Sequence, residues 1–537
     1  MVSPAATAHS TGEETNKEET RVIFASSLGT VFEWYDFYLY ATLAPFFAAL
    51  FFPKESATAA LLASFATYAA GFLVRPFGAL VFGRIGDLVG RKYTFLITIL
   101  VMGISTATVG ILPTYESIGM AAPTLLVLLR LAQGLALGGE YGGAATYVAE
   151  HAPDEKRGLN TSWIQTTATL GFFLSLIVIG GCRVGMAEAS FKSWGWRIPF
   201  LVSLFLLAIS VYIRLKLNES PVFLRMKAAG KGSKAPLRES FTKWPNLKIV
   251  ILALFGATAG QGVVWYTGQF YALFFLMGTL KIDWKTAYTI LAIALALGTG
   301  FFVVFGWLSD KIGRKKIMMV GCLLGAVTYF PIYRAMTHFG NPALETFAAN
   351  TRVSLTATNC QMHLFPNPKT VYSDCDRVQD FLSKRSLSYE TTEGAPGTKP
   401  ITHFNDTIIE GWDEAKLTAT LKSLGYPASA KAEDVNVPML TLLILIQVLY
   451  VTMVYGPIAA FLVELFPTQI RYTSMSLPYH IGNGWFGGML PLTATALVAA
   501  NGNIYAGLWY PVIVAAMSLV IGSLFIKETK HHKIHAI

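Results

Sequence analysis

Twelve long apolar runs constrain this chain more than any other feature of its sequence. A helix needs roughly 20 apolar residues to cross a hydrocarbon core of ~30 Å. Only helices and closed barrels satisfy their backbone hydrogen bonds in lipid, and runs this long and continuous indicate helices. The runs span residues 22–52, 57–82, 93–113, 123–150, 161–182, 197–216, 248–278, 284–308, 315–337, 438–463, 472–498 and 503–526. The sequence therefore predicts an all-α integral membrane protein with twelve transmembrane helices.

The charge composition argues against a soluble enzyme and against a nucleic-acid partner. Only 14% of the residues are charged, whereas soluble domains carry about 25%. The net charge of +10 comes from Lys and Arg in short loops between the apolar runs. If the N-terminus is cytoplasmic, 24 of these residues lie on the cytoplasmic side and five on the outer side. The positive-inside rule then predicts cytoplasmic termini and a multi-pass protein in the lipid bilayer of the plasma membrane, which is the inner membrane in a Gram-negative organism.

An internal repeat divides the chain into two related halves. The segment Gly83–Lys92 recurs as Gly306–Lys315, with every matched position offset by 223 residues. A second set of matches has a constant offset of 314 residues: Tyr141, Gly142, Glu150, Pro153, Arg157 and Ser162 match Tyr455, Gly456, Glu464, Pro467, Arg471 and Ser476. Two sets at constant offset indicate a duplicated unit of six spans.

The difference between the two offsets, 91 residues, locates an insertion in the second half at 338–435. The predicted organisation is an N-tail (1–21), a first six-helix bundle (22–216), a cytoplasmic central loop (217–247), a second bundle (248–526) interrupted by this extracytoplasmic insertion, and a C-tail (527–537). The insertion carries Cys360 and Cys375, and an oxidising outer compartment favours a disulfide between them. Two free thiols are the alternative.

The repeated motif Gly-x3-Asp-x2-Gly-Arg-Lys resembles the signature of the major facilitator superfamily. Further segments resemble its metabolite:proton symporter branch, which includes osmolyte, oxoglutarate, citrate and shikimate permeases. These segments are Phe32–Phe37, Arg130–Gly143, Gly195–Phe200, Glu219–Phe223 and Glu464–Arg471. The resemblance covers residues 21–529 apart from the insertion, and it implies two six-helix halves and secondary transport by alternating access.

Few charged residues lie within the spans, and each is a functional candidate because burying it in lipid is costly. They are Glu33, Asp36, Arg75, Arg130 and Glu140. Asp36 lies about 14 residues (~21 Å) from the inner end of its span and Arg130 about 7 residues (~11 Å) from the outer end of its own. These depths nearly coincide in a core of ~30 Å, so the sequence predicts an Asp36–Arg130 ion pair.

The resemblance to the sugar-porter branch implies that Asp36 and Arg130 form a proton-coupling pair, and a permanent structural ion pair is the alternative. Glu33 is a second candidate proton carrier, or is held by backbone or water. Arg75, about 8 residues from the cytoplasmic end of its span, is expected to extend to that interface. Glu140 lies among glycines and is expected to support packing at the inner gate.

Polar and aromatic residues in otherwise apolar spans predict the wall of a solute cavity. They are Tyr40 in span one, Gln261, Trp265, Tyr266 and Gln269 in span seven, and His480 and Asn483 in span eleven. Hydrogen bonds between helices are the alternative role. Arg130 and the span-seven amides are expected to receive a carboxylate of the solute.

The repeated motifs also predict a cytoplasmic gate built from charged residues. Asp87 and Arg91 are expected to bond to the loop that carries Glu150 and Arg157, and the second half is expected to repeat this arrangement. The predicted gate residues are Gly83, Asp87, Gly90, Arg91, Glu150, Arg157, Asp310, Gly313, Arg314, Glu464 and Arg471.

Together these features predict a proton-coupled symporter of a small polar metabolite, carboxylated or zwitterionic, that functions as a monomer. The expected partners are the solute and protons, and the proton gradient replaces any cofactor. No catalytic constellation or metal-ligand spacing occurs in the sequence, so an enzyme is not expected. The alternatives are a proton-independent facilitator or exporter of the same fold, and a transporter-like sensor whose outer loop binds a ligand.

Overall fold

The computed structural model describes residues 12–52, 67, 70–358, 360, 371–395 and 397–534. Twelve long helical segments form the bundle. They are α1 (Gly12–Phe51), α2 (Arg75–Leu88), α3 (Arg91–Ile111), α4 (Ala121–His151), α5 (Arg157–Gly185), α6 (Arg197–Leu215), α7 (Trp244–Thr279), α8 (Trp284–Ile312), α9 (Arg314–Gly340), α10 (Val437–Leu465), α11 (Arg471–His480, continued by a π-helix at Ile481–Gly487 and by Leu490–Asn501) and α12 (Trp509–Phe525). Short helices at Tyr115–Ile118, Glu188–Ser190, Pro221–Ala228 and Pro236–Phe241 lie in the connections.

Nine helices within the described residues are long and apolar enough to cross a membrane. The remaining three segments are α1, α2 and α11. α1 begins ten residues before the predicted span, so it extends the helix beyond the apolar run. Much of the second apolar run, at 53–66, 68 and 69, lies outside the described residues, and α2 is its described continuation.

Glycines of the repeated motifs stand where the backbone requires them. Gly90 and Gly313 precede α3 and α9 with φ of 147° and 113°, a region that residues with a side chain rarely adopt. Gly83 lies where α2 crosses α11, and a Cβ there would lie 2.9 Å from the Cα of Thr473. The motif therefore sets two tight turns and one close helix crossing.

Two helices of the second half are irregular. α7 contains π-helical turns at Leu254–Thr258, Thr267–Tyr271 and Phe275–Thr279, and α11 contains one at Ile481–Gly487. Such turns occur often at functional sites because they change the direction of the side chains that follow. α7 and α11 touch where a Cβ on Gly262 would lie 2.3 Å from the carbonyl oxygen of Gly482. Both irregular helices face the centre of the molecule.

The segment between α9 and α10 folds as a small α/β domain, which we call the insertion domain (342–434). It contains the helices Pro342–Asn350, Asp374–Lys384 and Glu414–Ser423 and the strands β1 (Val353–Ala357), β2 (Glu390–Glu393), β3 (Ile401–Phe404) and β4 (Thr407–Glu410). The sheet order is β2-β1-β3-β4; β2 pairs with β1 in parallel and the other pairs are antiparallel. Cys360 and Cys375 are joined in a disulfide, with their Cα atoms 5.3 Å apart.

The insertion domain has its own apolar core and rests on the second half of the bundle. Its core includes Leu355, Val378 and Phe404, all fully buried. The Tyr389 amide donates to the carbonyl of Gly502 (2.7 Å) in the α11–α12 connection. The Lys281 ammonium, in the α7–α8 connection, donates to the carbonyl of Lys384 (2.7 Å). The domain therefore covers the ends of the two irregular helices.

Candidate functional site

A cavity lies between the two halves at the centre of the molecule. α1, α2 and α4 of the first half and α7, α10 and α11 of the second half contribute its walls. Its lining residues are Thr30, Glu33, Trp34, Arg75, Leu137, Glu140, Tyr141, Trp265, Tyr266, Tyr455, Tyr479, His480 and Asn483. We call this space the central cavity. Its wall combines ionisable side chains with six Trp and Tyr rings.

Arg75 is buried in the wall of the central cavity, with 6% of its surface exposed. Its guanidinium lies 4.2 Å from the ring centroid of Phe72 and 5.3 Å from that of Phe37, and it hydrogen-bonds the Tyr266 hydroxyl. The prediction that Arg75 extends to the cytoplasmic interface is wrong. The guanidinium is turned toward these rings and the cavity instead of toward the end of α2 at Leu88.

Two buried carboxyl groups share a single guanidinium beside the cavity. Nη2 of Arg214 donates to Glu33 (2.9 Å) and to Glu140 (2.7 Å). The other Oε of Glu140 accepts from Thr98 (2.6 Å), and Nη1 of Arg214 donates to the carbonyl of Phe95 (2.8 Å). Glu33 is thus held by an arginine. Glu140 lines the cavity rather than only supporting helix packing.

Sequence reasoning missed Arg214, because it lies at the end of a span and was assigned to the cytoplasmic loop. The structure places it inside α6 with 1% of its surface exposed. One signal in the sequence pointed to it. Glu33 and Glu140 are buried acids that need a cation, and Arg75 and Arg130 were the only cations assigned to spans.

Asp36 does not pair with Arg130. Its carboxylate accepts from the Ser203 hydroxyl (2.5 Å) of α6 and hydrogen-bonds the Thr106 side chain of α3. The prediction matched the depths of the two residues along their helices, but depth does not set the direction in which a side chain points. Asp36 faces α3 and α6, and it is not among the residues that line the central cavity.

Arg130 lies on α4 and meets Tyr40, which is about one helical turn beyond Asp36 on α1. Its guanidinium stacks on the Tyr40 ring at 4.1 Å and donates to Gln133 (2.6 Å). Gln133 in turn donates to Thr106 (2.8 Å), which also contacts Asp36. Asp36 and Arg130 are therefore linked through two intermediate side chains, and Tyr40 belongs to this cluster instead of the cavity wall.

Four of the predicted cavity residues line the central cavity: Trp265, Tyr266, His480 and Asn483. Gln261 lies behind this wall, where its amide and that of Asn483 donate to each other at 3.0 and 2.8 Å. Gln269 is buried in a π-helical turn of α7 and is not among the lining residues. The ring nitrogens of His480 and the indole nitrogen of Trp265 have no hydrogen-bond partner among the described residues.

Aromatic contacts between α1 and α7 separate the cavity from the end that carries the insertion domain. The rings of Trp34 and Trp265 lie 5.4 Å apart. Further along both helices, Tyr38 stacks on Phe270 at 5.8 Å and Phe37 meets the same ring at 6.3 Å. These rings close one end of the cavity.

An ionic network closes the opposite end, which is the predicted cytoplasmic end. Asp87 bonds Arg91 (2.8 Å) and accepts from the backbone amide of Thr473 (2.9 Å) at the start of α11. Glu150 lies 3.7 Å from Arg91 and bonds Arg471 (2.8 Å). All four charged side chains are almost completely buried.

The second motif repeats this arrangement. Asp310 bonds Arg314 (2.6 Å) and accepts from the backbone amide of Gly158 (2.8 Å) at the start of α5. Glu464 bonds Arg314 (3.0 Å) and Arg157 (2.7 Å). Each motif aspartate thus binds the start of a helix in the other half.

The pairing inside this network differs from the predicted one. Arg157 was expected to serve the first half and Arg471 the second, but the structure exchanges them: Arg157 binds Glu464 and Arg471 binds Glu150. The exchange occurs because α5 and α11 begin against the opposite half. The gate residues therefore join the two halves directly.

The C-terminal segment also crosses between the halves. Glu528 accepts from the backbone amide of Arg314 (2.8 Å) in the second half. A few residues later, the carbonyl of His532 accepts from Arg157 (3.2 Å) of the first half, and Ile534 is buried. This segment adds a polypeptide connection to the closed end.

Three comparisons with known proteins identify the family. The family model described as "Sugar (and other) transporter" matches residues 22–255. The inner membrane metabolite transport protein YhjE of Escherichia coli (strain K12) is 39% identical over 338 residues, which cover 60% of this chain and 74% of that protein. A protein named as a metabolite transport protein in Haemophilus influenzae is 31% identical over 95% of this chain and 94% of its own length. The chain belongs to the major facilitator superfamily of transporters.

Other relatives of this transporter include a Staphylococcus aureus (strain MSSA476) protein named as a proline/betaine transporter, 37% identical over 60% of this chain and 68% of that protein. Among solved structures, the superfamily's proton:xylose symporter XylE superposes with a TM-score of 0.67, covering 97% of this chain and 98% of its own at 16% identity. That likeness confirms the predicted twelve-helix fold. The matches also confirm that the chain is a multi-pass transporter of the plasma membrane and not an enzyme.

Proposed function

We propose that this transporter is a proton-coupled symporter of a small zwitterionic metabolite, a solute with one carboxylate and one compact cationic group. The observation that carries the proposal is the composition of the central cavity. One wall residue is the Arg75 guanidinium, two others are the carboxyl groups of Glu33 and Glu140, and aromatic rings fill much of the remainder. A cavity with both signs of charge fits a solute with both signs of charge.

Arg75 is the proposed partner of the solute carboxylate. A guanidinium offers a planar set of donors that matches a carboxylate in two parallel hydrogen bonds. The stacked Phe72 and Phe37 rings hold this guanidinium in place. Arg130 was the candidate from the sequence, but it stacks on Tyr40 and is not among the lining residues.

Aromatic rings and unpartnered polar groups are the proposed partners of the rest of the solute. Trp and Tyr faces attract ammonium groups through cation–π interactions, and Trp34, Trp265 and Tyr141 line the cavity. His480 and Trp265 contribute nitrogens without a hydrogen-bond partner in the described part of the chain. Proline and betaine, named for one group of relatives, are zwitterions of this kind.

Proton coupling is proposed from the buried carboxyl groups of the first half. Asp36, Glu33 and Glu140 all lie within the bundle, and the relative of the same fold, XylE, is named a proton:xylose symporter. The chain of contacts from Asp36 through Thr106 and Gln133 retains a link to Arg130. A proton on one of these acids would change the charge of the first half during each cycle, as alternating access with symport requires.

Uptake into proteoliposomes tests the proposal. We would reconstitute the purified transporter, impose an inward pH gradient, and offer betaines, proline, dicarboxylates, shikimate-like acids and sugar acids as separate radiolabelled solutes. We expect a zwitterion to accumulate above its external concentration and a protonophore to abolish the accumulation. Uptake that does not depend on the pH gradient would support the alternative, a proton-independent facilitator or exporter. A preference for dicarboxylates would contradict the proposed zwitterionic substrate. Cross-linking in the same vesicles would test the proposed functional monomer.

A further inference from the structure

We propose that Glu33 and Glu140 together hold the transported proton, shared between their carboxyl groups and balanced by Arg214. The inference rests on the proposed proton symport and names its proton site. It differs from the expectation that Asp36 carries the proton in an ion pair with Arg130.

The contacts of the two carboxyl groups favour a single shared proton. Glu33 and Glu140 accept from the same nitrogen of Arg214, at 2.9 and 2.7 Å, so the two acids lie side by side on one cation. Both are buried, with 3% of their surface exposed, and two ionised carboxylates so placed repel each other. Two carboxylates with one cation carry a net charge of −1, and one proton makes the group neutral. Paired carboxyl groups in proteins characteristically hold one proton between them.

The surroundings leave Arg214 as the cation that contacts the pair within the described residues. Other ionisable groups face it from the helices packed around it: Arg75 of α2, Asp36 of α1, Tyr141 of α4, Tyr266 of α7, Tyr455 of α10, and Tyr472, Tyr479 and His480 of α11. Arg75 stacks on phenylalanine rings and bonds Tyr266. One guanidinium therefore balances two acids.

Glu33 also has the right position for proton entry. It lines the central cavity, and it lines a second, smaller cavity inside the first half. Asp36 lines the second cavity but not the central one. Glu33 therefore lies between the solute space and Asp36, so a proton that enters with the solute meets the Glu33–Glu140 pair first.

The pair is connected to the interface between the halves. Glu140 follows Gly139, whose carbonyl accepts from the Tyr472 hydroxyl of α11. When the proton leaves for cavity water, two carboxylates remain on one guanidinium, and their repulsion acts on α1 and α4 beside this contact. Release of the proton would thus change the forces at the α4–α11 crossing. That crossing must open when the transporter changes its access.

Infrared spectroscopy of the purified full-length protein in lipid nanodiscs tests the proposal without any solute. Spectra recorded while the bulk pH is stepped upward from neutral should show the carbonyl band of a protonated carboxylic acid, which disappears as the pair loses its proton. We expect Glu33→Gln and Glu140→Gln each to remove this band. Asp36→Asn removes the rival buried acid of α1 and should retain the band. Glu33→Asp, which keeps a carboxyl group, should retain a band at a shifted pH.

A band that persists in both glutamine variants, or that disappears in Asp36→Asn alone, would overturn the proposal. Thermal melting and size-exclusion chromatography identify variants that have lost their fold. If a glutamine variant has lost its fold, the infrared band of Glu33→Asp, which keeps a carboxyl group, becomes the deciding measurement. In proteoliposomes, the glutamine variants should lose accumulation and keep exchange of internal for external solute. If the parent protein shows no gradient-driven uptake, the proposed function fails while the infrared result still decides the proton site. If the parent protein shows symport and the infrared band is unchanged in both glutamine variants, the proposed function stands and only the assignment of the proton site fails.

Discussion

At the scale of single residues, two arginines define the interior of this transporter. Arg75 and Arg214 are both almost completely buried, and a charge in such a place is expensive unless it has partners. Arg214 contacts the two glutamates of the proposed proton site, and Arg75 contacts aromatic rings and lines the central cavity. The contrast between the two sets of partners indicates different tasks: Arg214 balances charge, and Arg75 remains available to an anionic group of the solute.

Replacement of Arg75 should weaken solute binding more than it changes the maximal rate. A hydrogen bond to a charged group contributes about 1.5–3 kcal/mol, so Arg75→Gln should raise the KM by about ten- to hundred-fold. Arg75→Lys should recover part of the affinity, since an ammonium cannot reproduce the planar fork. Initial rates of uptake in proteoliposomes measure both parameters. Arg130→Lys serves as the control. If its KM rises more than that of the Arg75 variants, Arg130 rather than Arg75 contacts the solute carboxylate.

At the scale of the elements, the ionic network couples helices of opposite halves. Glu464 holds Arg314 of its own half and Arg157 of the other. Removal of one partner from a buried ion pair costs about 3–5 kcal/mol. Glu464→Gln should therefore favour the state in which the predicted cytoplasmic end is open, and turnover should suffer more than binding.

Accessibility of an introduced cysteine measures this opening. Ser162 is fully buried where α5 meets α8, and we expect Ser162→Cys to react faster with a maleimide when Glu464→Gln is present. Glu188→Gln, which breaks an exposed pair with Lys192, is the matched control and should leave the rate unchanged, because solvent screens such pairs. An unchanged rate in the Glu464 variant would mean that the network does not hold the end closed.

The disulfide belongs to the insertion domain and should stabilise that element alone. Cys360 and Cys375 are 15 residues apart, and closing a loop of this length contributes about 3 kcal/mol in the chain-entropy model. Cys375→Ser should make the insertion domain sensitive to a protease at concentrations that spare the parent protein, with the bundle intact. Cys182→Ser, which removes a free thiol of α5, should have no such effect. Equal protection of both variants would contradict the prediction.

At the scale of the whole molecule, the insertion domain is an addition to a bundle that closes without it. The two chain segments that connect this domain to α9 and α10 lie next to each other, since the Asn436 amide donates to the carbonyl of Phe339 (2.8 Å). We expect a protein in which a short Gly-Ser linker replaces residues 342–434 to fold and to transport. Size-exclusion chromatography and uptake measure this outcome, and aggregation of the shortened protein would show that the bundle depends on the domain.

The orientation of the whole molecule follows from the distribution of Lys and Arg and stays a prediction. Glu393→Cys in the insertion domain and Lys231→Cys in the central loop are both exposed positions. A membrane-impermeant maleimide should label the first and not the second in intact cells, and the reverse should hold in inside-out vesicles. Labelling of Lys231→Cys from outside would reverse the assigned orientation.

Local patterns in the sequence were enough to predict the twelve helices, the duplicated halves, the insertion and the charged residues that form the ionic network. Hydropathy and repeat spacing are properties of neighbouring residues, so they need no knowledge of how helices pack. The partners of the charged side chains required the tertiary structure. Arg214 lies at a helix end that adjacent helices bury, and Arg75 turns toward the Phe37 and Phe72 rings in the cavity wall. The exchange of Arg157 and Arg471 between halves, and the separation of Asp36 from Arg130, depend on the rotation and crossing of helices that are distant in sequence. These pairings form only when the bundle packs, because packing decides which charged side chains come close enough to interact.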